Sequence, residues 1–173
     1  LRTAHSFKTQ EPYYSNFVKE FEHNETDDQT RSISDILHDL NKGSPMDRLV
    51  CGDVGYGKTE VAVRAAFNVA MEGFQVAILV PTTLLCRQHY ETFTKRFKSS
   101  PIKIGQLSRL VKKAEVNKTM DDITHGGVDI VIGTHALLGN KIKFKNLGLL
   151  ILDEEQHFGV AQKERLKELR GDI

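Results

Sequence analysis

The sequence predicts an α/β fold: a mostly parallel sheet with helices on both faces. Two patterns carry that expectation. Short unbroken aliphatic runs, Val76-Ala77-Ile78-Leu79-Val80 and Leu149-Leu150-Ile151-Leu152, read as strands buried on both faces. Stretches of helical period alternate with such runs, and strand–helix alternation implies parallel pairing through crossovers.

Residues 1–25 are expected to form a helical extension packed on the main body. Tyr13, Tyr14, Phe17, Val18 and Phe21 recur there at helical spacings after Pro12. The next helix starts at Thr26, a hydroxyl N-cap followed by Asp27 and Asp28 in the first turn. Ile33, Ile36, Leu37 and Leu40 share one face of it, and Gly43 and Pro45 end it. Leu49-Val50-Cys51 reads as a short strand and residues 58–72 as a helix. Further strands are expected at 75–80, 102–107, 128–132 and 149–152. Helices are expected at 83–97, 112–124 and 160–169, with a short helical turn at 135–138. In such sheets ligands bind beyond the carboxyl ends of the strands, so every strand-end loop is a candidate site.

Composition narrows the partners. The 173 residues suit one domain with a core on each face of a sheet. Lys and Arg number 24 against 23 Asp and Glu, which argues against nucleic-acid binding by bulk charge but leaves a local basic face open. Lys141, Lys143 and Lys145 alternate along an extended segment and fall on one side, either a solvated face or a contact to a DNA backbone. Two cysteines, Cys51 and Cys86, are too few for a zinc site or a disulfide framework and read as reduced thiols of a cytoplasmic protein. No apolar run approaches the ~20 residues that a membrane span needs, so no membrane is expected among the partners. The chain begins at Leu1 rather than Met and is expected to be a piece of a longer polypeptide.

Gly52-Asp53-Val54-Gly55-Tyr56-Gly57-Lys58-Thr59 fits glycine, any four residues, Gly-Lys-Thr, set between an expected strand and an expected helix. The glycines let backbone amides turn inward around an anion, and the helix N-terminus adds its dipole. Lys58 can reach the β- and γ-phosphates, and the Thr59 hydroxyl can ligate Mg²⁺. Glu60, next along the helix, is counted with the nucleotide-binding residues. A plain glycine-rich turn is the alternative, which the full pattern in this context disfavours.

The strand ending at Leu152 runs into Asp153-Glu154-Glu155-Gln156. A carboxylate at the tip of a buried strand can hold Mg²⁺ through water, here Asp153, and the next can deprotonate the attacking water, here Glu154. Glu155 and Gln156 read as coupling residues. An acidic turn alone says little; with the phosphate loop it implies hydrolysis rather than binding only.

Four segments, GDVGYGKTE, PTTLLCRQH, IGTHALL and DEEQHFGV, together resemble the superfamily 2 helicases and translocases, most closely the bacterial transcription-repair coupling factors. The resemblance runs from about Phe21 to Arg170. It implies a RecA-like P-loop NTPase domain, the first of two, over residues 26–173. It further implies ATP and Mg²⁺ as ligands, translocation on double-stranded DNA, displacement of stalled RNA polymerase and recruitment of excision-repair proteins. The polymerase and repair partners would act through domains absent from this chain.

By position, Gln29 is similar to the glutamine that reads adenine, and the stacking aromatic falls near Phe21, where the family reads Phe-Pro-Tyr and this chain reads Phe21-Glu22-His23. Pro81-Thr82-Thr83 resembles the motif that grips the DNA backbone, although a helix cap by either threonine is also open. Ser108-Arg109 and Gly133-Thr134-His135 resemble further DNA-tracking or coupling motifs. His157 stands where relatives often have Arg. Because such motors close ATP between two domains, this chain alone is expected to bind ATP·Mg weakly and hydrolyse it slowly. Three other readings remain: a RecG-like branch-migration helicase, a nucleotide kinase using the same loop, and a non-hydrolysing binding module. No Arg-rich lid supports the kinase, and intact Lys58, Thr59, Asp153 and Glu154 speak against the inert module.

Overall fold

The computed structural model describes residues 6–42, 58–139, 142–152 and 160–171. Among these are six helices and four strands. In chain order they are α1 (Tyr13–Lys19), α2 (Asp27–Asn41), α3 (Lys58–Ala70), β1 (Gln75–Leu79), α4 (Thr83–Arg96), β2 (Ile104–Leu107), α5 (Lys113–His125), β3 (Ile130–Gly133), β4 (Leu147–Leu152) and α6 (Val160–Gly171), with a 3₁₀ turn at His135–Leu138. The expected strand at 49–51 and the helix-ending Gly43 and Pro45 lie outside the described residues.

The strands pair in the order β2-β3-β1-β4, every pair parallel. Alternation of side chains divides the sheet between two cores. Val76, Ile78, Ile130, Ile132, Leu149 and Ile151 pack with α2, α3 and α4, while Ala77, Leu79, Val131 and Leu150 pack with α5, the 3₁₀ turn and α6. Helices therefore cover both faces, as the unbroken aliphatic strands require.

All four strands differ in their bounds from expectation: β1 closes at Leu79 rather than at 80, β3 runs Ile130–Gly133 rather than 128–132, and β2 and β4 start elsewhere for local reasons. The Lys103 amide bonds to the Asp129 carboxylate at 2.8 Å, and the β2 ladder starts one residue later, at Ile104. Strand β4 starts at Leu147 because Gly148 forms a register shift: Gln75 pairs with Leu147, but Val76 pairs with Leu149. A Cβ at Gly148 would lie 2.8 Å from Phe74 Cβ and 3.0 Å from the Phe7 ring, so only glycine lets both aromatics close over the strand.

The N-terminal segment is docked. Phe17, 4% exposed, stacks on Phe67 of α3 at 4.1 Å and leans on Phe97 at 4.9 Å. Phe7 meets Phe74 edge-on at 5.1 Å, and its amide donates to Leu40 O at 2.8 Å, tying residue 7 to the end of α2. Farther on, Ile142 is buried and Phe144 half-buried while Lys143 and Lys145 are exposed, the alternation expected of these two, and Lys141 lies outside the described residues. No helix among the described residues is long and apolar enough to cross a membrane.

Candidate active site

Parallel register sets the site's edge. Leu79, Gly133 and Leu152 stand side by side at the ends of β1, β3 and β4, and Leu107 of β2 pairs with Gly133. The loops at 81–83, 108–109 and 134–135 therefore leave the sheet at one edge, where β4 also ends. Helix α3 comes back to β1 through a short turn at 71–74 and packs on β1 and β4, which sets its N-terminus toward that same edge.

Lys58 opens α3, and Thr59 is half-buried in its first turn. Gly52, Asp53, Val54, Gly55, Tyr56 and Gly57 lie outside the described residues, as do Asp153 and Glu154. Beside Thr59 a cleft of about 650 Å³ opens between residues 20–23, the first turn of α3 and the later turns of α4. Phe21, His23, Thr59, Glu60, His89 and Arg96 are among its lining residues, and Phe21 meets His23 edge-on at 5.7 Å. A helix N-terminus, a hydroxyl and an aromatic side chain at one cleft suit a magnesium nucleotide: amides and Thr59 toward phosphate and metal, Phe21 toward a base.

Glu60, counted from the sequence with the nucleotide-binding residues, lines the cleft beside Thr59 and turns its carboxylate to two arginines. Its carboxylate is 5% exposed and accepts from Arg96 Nε at 2.8 Å, Arg96 Nη2 at 2.9 Å and Arg64 Nε at 2.7 Å. Arg64 also pairs with Glu25 through Nη1, and that hydrogen bond holds the Glu25 carboxyl below its ordinary value. Arg96 lies 4.0 Å over the Phe17 ring, and Phe21 sits 5.5 Å from the Arg64 guanidinium and 5.9 Å from that of Arg96. Sequence reading missed both arginines. Glu60 and Arg64 at i, i+4 is a legible helix pair, but Arg96 is 36 residues away and only the packing of α4 beside α3 reveals it.

Gln29, the expected adenine reader, is half-buried and forms a capping box with Thr26. Thr82 is the N-cap of α4, accepting the Leu85 amide at 3.1 Å, so the capping reading of Pro81-Thr82-Thr83 holds while Thr82 stays exposed at the edge. Arg109 is exposed after β2, and Ser108 is buried beneath it. The Thr134 amide donates to Leu107 O at 3.2 Å, which holds the β3 exit against β2. Gly133 is tight there: a Cβ would fall 2.5 Å from Leu137 Cγ. His135 is exposed and pairs through Nδ1 with the Gln162 amide of α6. Arg165 Nη2 donates to Ile142 O at 2.6 Å, and Leu166 is buried. Both elements flanking the acidic turn, β4 and α6, are thus anchored.

A profile of the DEAD/DEAH box helicases matches residues 26–173. The chain belongs to the DEAD/DEAH box helicase family. As a member of that family it is a helicase-type ATPase domain, for which nucleotide binding is the general property. It is 53% identical over 170 residues to the transcription-repair-coupling factor of Myxococcus xanthus and 52% identical to that of Bacillus subtilis, covering 98% of this chain in each case. The chain spans 14% of the length of those relatives. Among solved structures it is similar to RecG bound to a three-way DNA junction, with a TM-score of 0.80 and 36% identity, covering 91% of this chain and 22% of that one. A hypothetical ATP-dependent RNA helicase from Sulfolobus tokodaii, at a TM-score of 0.56 and 15% identity, covers 92% of this chain and 55% of its own and shares the fold. The helicase-family match and the RecG likeness establish the RecA-like α/β fold expected from the sequence.

Proposed function

We propose that residues 26–173 are the first RecA-like motor domain of a cytoplasmic double-stranded DNA translocase that couples transcription to nucleotide excision repair, with residues 1–25 a helical extension packed on it. One observation supports this reading: the start of the phosphate helix, the end of β4 at Leu152 and three strand-end loops share one edge of a parallel sheet. A site that reads ATP on one side and a nucleic-acid backbone on the other needs that arrangement. The 53% identity to a transcription-repair-coupling factor, against 36% to RecG, favours coupling over branch migration. RNA polymerase and repair proteins would then be partners of the longer protein.

In this reading the loop amides of residues 52–57 and the Lys58 ammonium hold the phosphates. Thr59 and Asp153 would hold Mg²⁺, which when bound neutralises charge on the phosphate oxygens. Glu154 accepts the proton of the attacking water. Gln29 presents its amide to adenine. Pro81, Thr82, Thr83, Arg109, Thr134 and His135 face the DNA backbone with hydroxyls, exposed amides and one guanidinium.

A single-turnover measurement with the chain in excess over labelled ATP tests this. Slow phosphate release is expected, abolished in Glu154→Gln while nucleotide binding persists. Equal release from wild type and Glu154→Gln would refute the assignment of the base.

A further inference from the structure

We propose that Glu60 is a positioning residue of the nucleotide site: clamped by Arg96 and Arg64, its carboxylate fixes the first turn of α3 and with it the Thr59 hydroxyl. This rests on the nucleotide reading above and gives Glu60 a role beside the ligand rather than on it.

Three observations converge on it. Glu60 follows Thr59 directly, in the turn whose amides have no partners within the helix. Both of its carboxylate oxygens are engaged by three guanidinium N–H groups, so the side chain has no second position open to it. The clamp also joins three segments that each carry a site motif. Arg64 reaches Glu25, which precedes the Thr26–Gln29 cap, and Arg96 ends the helix that begins after Thr82.

Stability alone is a weak reason for such a set. Two guanidiniums and a carboxylate here have side chains no more than 9% exposed, and a buried ion pair is often no better than packed apolar groups of the same size. Nor is the set saturated: Arg64 Nη2 and Arg96 Nη1 are buried without a hydrogen-bond partner among the described residues. What the set does supply is fixed geometry, because the planar fork of Arg96 admits one orientation of the carboxylate.

A double-mutant cycle on the chain tests the role. The dissociation constant of a fluorescent ATP analogue is measured with and without Mg²⁺ for wild type, Thr59→Val, Glu60→Gln and the pair, with melting temperatures alongside. Glu60→Gln is expected to weaken magnesium-nucleotide binding about tenfold and to remove most of the tightening that Mg²⁺ gives, with the pair no weaker than Thr59→Val. Arg96→Gln, which releases the clamp from α4, is expected to lose the same metal-dependent tightening and serves if Glu60→Gln does not fold; Arg96→Lys should restore little of it. Additive losses, or full metal tightening in a folded Glu60→Gln or Arg96→Gln, would overturn the positioning role and leave the nucleotide reading standing. A folded wild-type chain that bound no nucleotide would overturn that reading itself, and this role with it.

Discussion

Gln29 and Thr26 hold each other at the start of α2. The Gln29 amide donates to Thr26 Oγ1 at 3.1 Å, and Gln29 Oε1 accepts the Thr26 amide at 2.8 Å. A residue proposed to read adenine is thus also a structural cap, with its carbonyl oxygen turned to the backbone.

The two roles separate in Gln29→Glu. Glutamate serves a capping box as well as glutamine does, and a negative charge in the first turn favours the helix. What is lost is the side-chain NH₂ donor. The melting temperature is expected to hold or rise while affinity for ATP, and preference for ATP over GTP, falls. Unchanged affinity and preference would take Gln29 out of base recognition.

Phe17→Ala probes the docking of α1. The ring is buried against Phe67, Phe97 and the Arg96 guanidinium, so truncation leaves a cavity and an arginine without its stacking surface. The expected loss is about 3–5 kcal/mol in denaturant unfolding. A loss below about 1 kcal/mol would mean that the extension contributes no core.

Glu25 gives the acid limb of stability. Its carboxyl is held below the ordinary value by the Arg64 hydrogen bond, so the folded chain binds that proton less readily than the unfolded chain. The contact therefore adds stability above the usual glutamate range of about 4.3 and loses it as pH falls through the lower folded value. Glu25→Gln is expected to be less stable at neutral pH and to show a shallower fall in stability below about pH 4.3. A parallel profile, read from unfolding free energy against pH, would contradict this.

The sequence was most legible where one residue type decides a local event. Thr26 is the cap expected of it, Thr82 takes the capping alternative, and the aliphatic runs at 75–80 and 149–152 form β1 inside the described sheet and β4 at its edge. Boundaries at β2 and β4 were not legible, because they depend on the Asp129 side chain and on a bulge at Gly148 that only strand pairing exposes. Glu60 was read through its neighbour Thr59. Its buried partners sit on α3 and α4, and the helix packing that joins them has no sequence period. The glycine loop and the acidic turn were legible as motifs and fall outside the described residues, so their roles stand on chemistry and position.

Cys86 offers a check on the α4–sheet interface. Its thiol is fully buried, lies 3.4 Å from Ile132 O, and is pushed up to about 11 by burial. Thiolate is then scarce near pH 8. Alkylation at Cys86, followed by peptide mass mapping, is expected to be slow in the native chain and fast in urea. Fast native labelling would contradict the packing of α4 on β2 and β3.

The most direct measurement is a calorimetric titration of the chain with ATP, with and without Mg²⁺, for wild type, Lys58→Ala and Asp153→Ala. Wild type should bind one nucleotide more tightly with the metal. Lys58→Ala should lose most of the affinity, and Asp153→Ala should keep metal-free binding while losing the gain from Mg²⁺. Identical isotherms for all three proteins would contradict a magnesium-nucleotide site shared by the phosphate loop and the acidic turn.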